Sequence, residues 1–419
     1  MTRLLEVSLH GVPVGELEEL EEGGSEFRFR EQYFDLVPRP VLGQKFEDDL
    51  LKEAHPSRRS ENLPDFFANL VPEGRLRELI EQTSGVGRGD DFGLLAFVGG
   101  DLPGAVTVRP IESERVDPGV PRLVAPPAET QAPASEPSGV RFSLAGVQLK
   151  LSMLREGETL TVPVHDQAGD WIVKFDSPTF PHLPENEFSM LEWARGAGFL
   201  VPECHLHDLT DLDHEVALLG LVKSIVPEGT RVLAIRRYDR TVEDRVHQED
   251  FAQAIGLPPA LKYDHVRYET MALLVRRFIG EEGVDEFLRR LILTVAAGNG
   301  DAHLKNWSLI YPDRVQAAWS PVYDQVATVS WPELAPELSL KLAGVKLFVR
   351  IDGNALDRFA ARAQIDRERV SSVVGEALAR LRTAWKELRS SLPLVPGHRK
   401  AIEEHWRRVP LLREAGGLD

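Results

Sequence analysis

Gly300-Asp301-Ala302-His303-Leu304-Lys305-Asn306 follows an apolar helical stretch that stops at Ala297-Gly298, and Pro321-Val322-Tyr323-Asp324 then reads as an apolar strand ending in an acid 18 residues beyond Asn306 (324 minus 306). An Asp with an Asn five positions later is the spacing of a phosphoryl-transfer loop. The Asp takes or orients a substrate hydroxyl proton, and the Asn amide oxygen holds Mg²⁺. Asp324 is the candidate for the second metal carboxylate. Two oxygen ligands and a base must converge on one γ-phosphate, and a tight loop after a helix end presents them together. Alone, the pattern also occurs in ordinary polar surface loops, so its weight comes from the rest of the chain.

Upstream, Trp171-Ile172-Val173-Lys174-Phe175 sets a lysine inside an apolar strand. The bland reading is an edge lysine whose stem lies on apolar surface; the sharp one is the strand lysine that contacts ATP phosphates in protein kinases. Such a lysine is held by a helical glutamate, and Glu187 stands 13 residues on (187 minus 174) in a helix expected over 185–196. Glu185 is the other candidate, and a solvated helix start is the alternative for both. Phe142-Ser143-Leu144-Ala145-Gly146-Val147-Gln148-Leu149-Lys150 stands where a phosphate-covering hairpin belongs. With one glycine it cradles phosphate only if backbone N–H groups turn inward, aided by Lys150 as a point charge.

The 419 residues are enough for two or three units with a full enzyme core. With 42% hydrophobic and 27% charged residues, the composition excludes a mainly disordered, collagen-like or coiled-coil chain. Forty-nine Lys and Arg against 66 Asp and Glu give a net charge of −17. A body so charged repels phosphate backbones, so contact with DNA requires a local basic patch or a basic partner. Cys204 is the one cysteine, which excludes an intrachain disulfide and a thiolate metal site and fits a reducing compartment. The start lacks a secretory pattern and no apolar run spans a membrane, so the expected location is the cytoplasm.

Residues 1–117 read as a small mixed α/β unit, with strands over 4–10, 12–17, 26–30 and 104–108 and helical spacing over 64–70, 74–81 and 90–98. The acidic run Glu16–Glu22 reads as a solvated face or loop. The stretch 118–138 holds a cluster of prolines and reads as a linker. Residues 139–238 read as a sheet-rich lobe, with strands over 142–144, 149–154, 159–164, 171–175, 220–225 and 231–238. Residues 239–419 read as a helix-rich lobe, with helices over 248–255, 267–279, 284–297 and a long stretch 357–390. The fold class is therefore α+β, two-lobed, with a hinge near Tyr238. Trp385 and Trp406 read as packing anchors and Cys204 as a small buried residue.

These segments together resemble the HipA family of bacterial serine/threonine kinases, the toxin half of a toxin–antitoxin pair. The likeness is carried by residues 69–74 (Asn-Leu-Val-Pro-Glu-Gly), 90–95 (Asp-Asp-Phe-Gly-Leu-Leu) and 99–106, by Ser143–Lys150, by Arg237-Tyr238-Asp239-Arg240, by Gln248-Glu249-Asp250, by Asn299–Asn306 and by Pro321–Asp324. The resemblance implies a two-lobed protein-kinase-like fold and use of ATP and Mg²⁺. It gives Asp301 the role of base, Asn306 and Asp324 the metal, and Lys174 the phosphates. It also implies an ATP site lined by Ala145, Gly146, Val147, Gln148, Leu149, Lys150, Arg236, Arg237, Tyr238, His303, Leu304, Lys305, Asn306, Tyr323 and Asp324. Ser143 matches a serine that family members phosphorylate on themselves. A phosphate there adds about −1.5 to −2 charge and repels the ATP phosphates, disabling the loop. The implied partners are an aminoacyl-tRNA synthetase as substrate and a HipB-like helix-turn-helix antitoxin through which the chain reaches DNA indirectly; no membrane is involved. The chain departs from the likeness at Arg236, where a family member has an acid, and in its extended Pro-rich stretch. Two other function classes stand beside this one: a catalytically silent kinase-fold module acting as co-repressor with the antitoxin, and a metal-dependent hydrolase built on Asp301, His303 and Asp324.

Overall fold

The computed structural model describes residues 3–53, 57–111, 148–156, 159–161, 169–212 and 229–418. The Pro-rich stretch 118–138, Ser143, Ala145, Gly146, Val147, and the strands expected over 142–144 and 220–225 lie outside the described residues, as does the end of the strand expected over 159–164.

The first unit is an antiparallel sheet with helices on one side. It comprises β1 (Leu4–Leu9), β2 (Val12–Glu19), β3 (Ser25–Phe29), α1 (Glu31–Phe34), α2 (Gln44–Leu50), β4 (Ser57–Ser60), α3 (Asp65–Ala68), α4 (Gly74–Thr83), α5 (Asp91–Val98) and β5 (Val106–Pro110), with strand order β4-β3-β2-β1-β5. Alternation in β1 sends Leu5, Val7 and Leu9 into a core with Phe27, Phe46, Phe66 and Phe67. Asp90 ends the preceding turn and caps α5 by accepting from Gly93 N–H (2.8 Å). The acidic run proves to be strand as far as Glu19. Glu16, Glu18 and Glu19 face Arg30, Arg28 and Arg3 across the sheet, so paired charge, not a loop, accounts for it. Strand β4 went unforeseen because its Ser-Arg-Arg-Ser sequence has no apolar alternation.

The second sheet has order β7-β6-β8-β10-β9, from β6 (Lys150–Glu156), β7 (Thr159–Thr161), β8 (Trp171–Lys174), β9 (Cys204–Asp208) and β10 (Arg231–Arg236). Helix α6 (Leu183–Gly196) packs between this sheet and the helical portion: Trp193 is fully buried, 4.8 Å from the Trp385 ring and 6.1 Å from Trp406. The core consequently runs unbroken from α6 and β10 into the helices.

The remainder contains β11 (His247–Asp250), α7 (Phe251–Ile255), α8 (Tyr268–Phe278), α9 (Glu281–Ala297), β12 (Ser308–Tyr311), β13 (Ala318–Trp319), β14 (Glu337–Leu342), β15 (Val345–Leu347), α10 (Gly353–Ala363), α11 (Arg367–Leu388), α12 (Pro396–Arg408) and α13 (Pro410–Glu414). Three expectations are corrected here. Residues 248–250 are not helical but pair with β12. Asp250 then starts α7 through a capping box with Gln253, so the helix begins one residue after the strand ends. The stretch 357–390 is two helices, because Gln364 turns left-handed (φ +55°) and Asp366 caps a new start at Arg369 N–H. Residues 321–324 join no ladder; Val322 N–H bonds the Leu200 carbonyl instead (2.8 Å). Among the described residues no helix is long and apolar enough to cross a membrane.

Candidate active site

Strand β8 sets Lys174 opposite Lys150 of β6 in direct register. Two cations facing each other in one ladder repel, so this pairing holds only with anions nearby. Two are supplied from different directions. Glu187, fully buried on α6, puts Oε1 2.5 Å from Lys174 Nζ, and the Asp324 carboxylate accepts a second hydrogen bond from the same amine. Of the two helical glutamates, Glu187 therefore pairs with the lysine, while Glu185 lies toward His182 (3.9 Å). Burial favours neutral forms throughout this cluster, but the charges decide between them. Burial raises Glu187 despite the opposing pull of Lys174. At Asp324 the lysines outweigh burial and hold the carboxyl down at about 2, so it is an anion at neutral pH. Its backbone is left-handed (φ +49°), a conformation that an L-residue adopts at a cost and that sharply re-aims the chain after Tyr323.

The loop with Asp301 is fixed from both sides. Gly298 ends α9 in the left-handed conformation (φ +66°), which suits glycine. A Cβ on Gly300 would stand 2.7 Å from the Glu337 carbonyl, so no larger residue fits there. Asn299, fully buried, ties the two acidic segments together: its Oδ1 accepts from Asp301 N–H (3.0 Å) and its Nδ2 donates to the Asp324 carbonyl (3.3 Å). Asn306 Nδ2 donates to the Asp301 carbonyl (2.9 Å), which directs its amide oxygen to other partners. Tyr323 donates to the Lys305 carbonyl (2.9 Å) and so braces the loop's far end. Asp301 Oδ1 accepts from the Tyr263 hydroxyl at 2.7 Å.

His303 is buried, with its ring edge-on to Tyr263 (5.0 Å between centroids). Burial, reinforced by Lys262 and Lys305, pushes it down to about 3, so it is a neutral packing and polar group in this loop. Among the described residues no three His, Cys, Asp or Glu side chains are placed to hold a metal. A hard cation is better matched by oxygen from Asn306 and the ionised Asp324, a donor set suited to Mg²⁺.

Not every expected lining residue turns its side chain to this cleft. Gln148 Nε2 donates to the Phe175 carbonyl (3.0 Å) and Leu149 packs into the sheet core, so both brace the start of β6. Arg236 is exposed, 3.6 Å from Glu203. The Arg237 side chain is buried toward the first unit, where it meets Asp101 (2.7 Å) and Asp239 (2.9 Å). Tyr238 does reach the cleft side, its ring 5.9 Å from that of Tyr323. Leu304 is fully buried in the core, and Lys305 turns to Glu73 of the first unit (2.6 Å). The sequence reading missed Tyr263 and Glu73 as members of this neighbourhood. Neither stands near the loop in sequence, and a Tyr or Glu in a polar segment carries no periodic signal.

Residues 5–109 match the HipA N-terminal domain, and residues 142–385 match the HipA-like C-terminal domain. Y4dM of Sinorhizobium fredii is 38% identical over 418 residues, covering 98% of each chain. Y4mE of the same organism is 30% identical over 409 residues, covering 90% of this chain and 92% of its own. The serine/threonine-protein kinase toxin HipA of Shewanella oneidensis is 26% identical over 320 residues, 68% of this chain and 67% of that one. The solved complex of Shewanella oneidensis HipA with HipB and operator DNA has a chain that shares the fold, with a TM-score of 0.74 at 20% identity over 98% of this chain and 99% of that one. A family domain spanning more than half of the sequence and a relative matched along nearly its whole length lead to one conclusion: this chain belongs to the HipA family.

Proposed function

We propose that this protein is an ATP- and Mg²⁺-dependent serine/threonine protein kinase acting as the toxin of a toxin–antitoxin pair. The observation that carries the reading is the meeting of Lys174 and Glu187 with Asp324, 150 positions from Lys174 in sequence, beside the Asp301 loop. In the reaction the substrate hydroxyl oxygen bonds the γ-phosphorus as the bond to the β,γ-bridging oxygen breaks. ADP leaves with the electron pair, and the hydroxyl proton passes to Asp301. Lys174 holds the α- and β-phosphates. Asn306 and Asp324 would hold the cation, which when bound would neutralise charge on the phosphates. Catalysis of this kind is positioning plus charge, so every member of the set matters.

The family likeness supports the finer assignments. These are Ser143 as a site of autophosphorylation that switches nucleotide binding off, an aminoacyl-tRNA synthetase as substrate, and a HipB-like helix-turn-helix antitoxin that brings the chain to DNA. A net charge of −17 agrees with DNA contact made by the partner. Intact-mass and peptide mass spectrometry after incubation with Mg·ATP tests the core of this reading. A gain of one phosphate at Ser143, absent in a folded Asp301→Gln variant, is expected. Calorimetry that finds no Mg·ATP binding by the unphosphorylated protein would instead favour the silent co-repressor module.

A further inference from the structure

The Asp301 carboxylate is aimed by a residue outside its loop, and that residue is held by the first unit. Tyr263 lies just before α8, and its hydroxyl donates to Asp301 Oδ1 at 2.7 Å. Its neighbour Lys262 is buried; the Lys262 carbonyl accepts from Leu304 N–H of the Asp301 loop (3.2 Å), and its ammonium stands 5.8 Å over the Tyr263 ring. Lys262 ends on Glu73, in the segment between α3 and α4 of the first unit, with Nζ 2.5 Å from Oε2. The second oxygen of Glu73 takes Lys305 Nζ at 2.6 Å, and Lys305 also donates to the Asn69 carbonyl (3.1 Å). Burial opposes charge on Glu73, but Lys305 and Lys262 hold its carboxyl down at about 2, so Glu73 is an anion at neutral pH.

We propose that Tyr263 is a positioning residue for phosphoryl transfer, orienting the Asp301 carboxylate, and that Glu73 sets the segment carrying Tyr263 and thereby couples the first unit to the reaction. The role rests on the kinase reading above. A phenol is suited to it: a hydrogen bond to the charged carboxylate fixes one oxygen, limits rotation about the Cβ–Cγ bond, and favours the anionic form that accepts the substrate proton. Phenylalanine keeps the ring and its packing on His303 while deleting that bond.

The experiment compares wild type, Tyr263→Phe, Glu73→Gln and the double variant in Mg·ATP-dependent phosphotransfer across pH, with melting temperatures alongside. Tyr263→Phe lowers kcat about tenfold, leaves KM for ATP within about twofold, and moves the acidic limb of the kcat profile to higher pH. Glu73→Gln lowers kcat about threefold, and the double variant loses less than the product of the two, because both act on one carboxylate. A folded Tyr263→Phe protein with wild-type kcat and pH profile overturns the inference and leaves the kinase reading intact. A wild-type protein that binds Mg·ATP and transfers nothing overturns the kinase reading, and the positioning role with it.

Discussion

The cleft around Asp324 and the seam between the first unit and the helical lobe are both built from buried ions, yet they are balanced differently. In the seam, the Asp239 carboxylate receives four donors: Arg237 Nε (3.0 Å) and Nη2 (2.9 Å), Arg240 Nη1 (2.8 Å) and the Gly104 N–H (2.7 Å). Asp101 takes the remaining ends of the same two arginines at 2.7 and 2.9 Å. In the cleft, Asp324 is part-exposed on left-handed backbone and meets one amine, while Glu187 Oε2 is buried without a hydrogen bond. A carboxylate saturated by protein donors holds a fold together. One left with unspent capacity, on a backbone that had to be forced, is built to receive something else.

That contrast predicts that cleft variants lose activity while remaining folded and seam variants lose the fold. The largest effect is expected for Asp324→Ala: phosphotransfer falls by about ten-thousand-fold, roughly 5.4 kcal/mol on the barrier, while the melting temperature stays within a few degrees. A filter assay for phosphotransfer and a thermal scan of the same preparation check both halves. Next comes Asp239→Ala, which leaves two buried guanidinium groups short of an anion and lowers unfolding free energy by about 3 to 5 kcal/mol in urea titration. If Asp239→Ala instead unfolds like wild type, the distinction between seam and cleft collapses.

A third prediction sharpens the seam by pH. Glu249 is fully buried where β11 meets α2, accepting from Gln44 N–H (2.9 Å) and from the Tyr311 hydroxyl. Burial pushes its carboxyl from the usual 4.5 up to about 8. The native state therefore binds a proton at Glu249 that the unfolded chain has released between these values, so its stabilising contribution is greatest below about 4.5 and declines as pH rises toward 8. The urea midpoint should fall across that window in wild type and fall less in Glu249→Gln; equal slopes would remove Glu249 from the account. The smallest effect is expected for Arg236→Ala. This side chain is exposed and 3.6 Å from an exposed Glu203, so unfolding free energy should change by less than about 0.5 kcal/mol. A tenfold change in KM for ATP in the same variant would bring Arg236 back as a nucleotide contact.

Lys174, Asp301, Asn306 and Asp324 stood out as candidates because local chemistry marks each, as a cation in an apolar strand, an Asp and Asn on one tight turn and an acid closing an apolar run, whereas the helix offered two acids, Glu185 and Glu187, with nothing local to choose between them. Helices α8 and α9 were legible from their apolar faces, within a few residues at each end. The break at Gln364 was not, since the apolar pattern continues on both sides of it and one left-handed residue leaves no mark on periodicity. Residues 248–250 were assigned to a helix because their strand is defined by its partner β12, some 60 residues later, and not by its own composition.

What the order of residues offers by itself is therefore an inventory: two lobes, a candidate phosphoryl-transfer loop at Asp301 and a net charge that disfavours direct contact with phosphate backbones. These follow from local spacing and net charge, which need no neighbour. Tertiary structure alone decided that Glu187 and not Glu185 meets Lys174, that Arg237 turns away from the cleft to Asp101, and that Glu73 and Tyr263 reach the Asp301 loop. Such pairings arise when distant segments pack. Ion pairs and hydrogen bonds act over a few ångströms in space, whatever the separation along the chain.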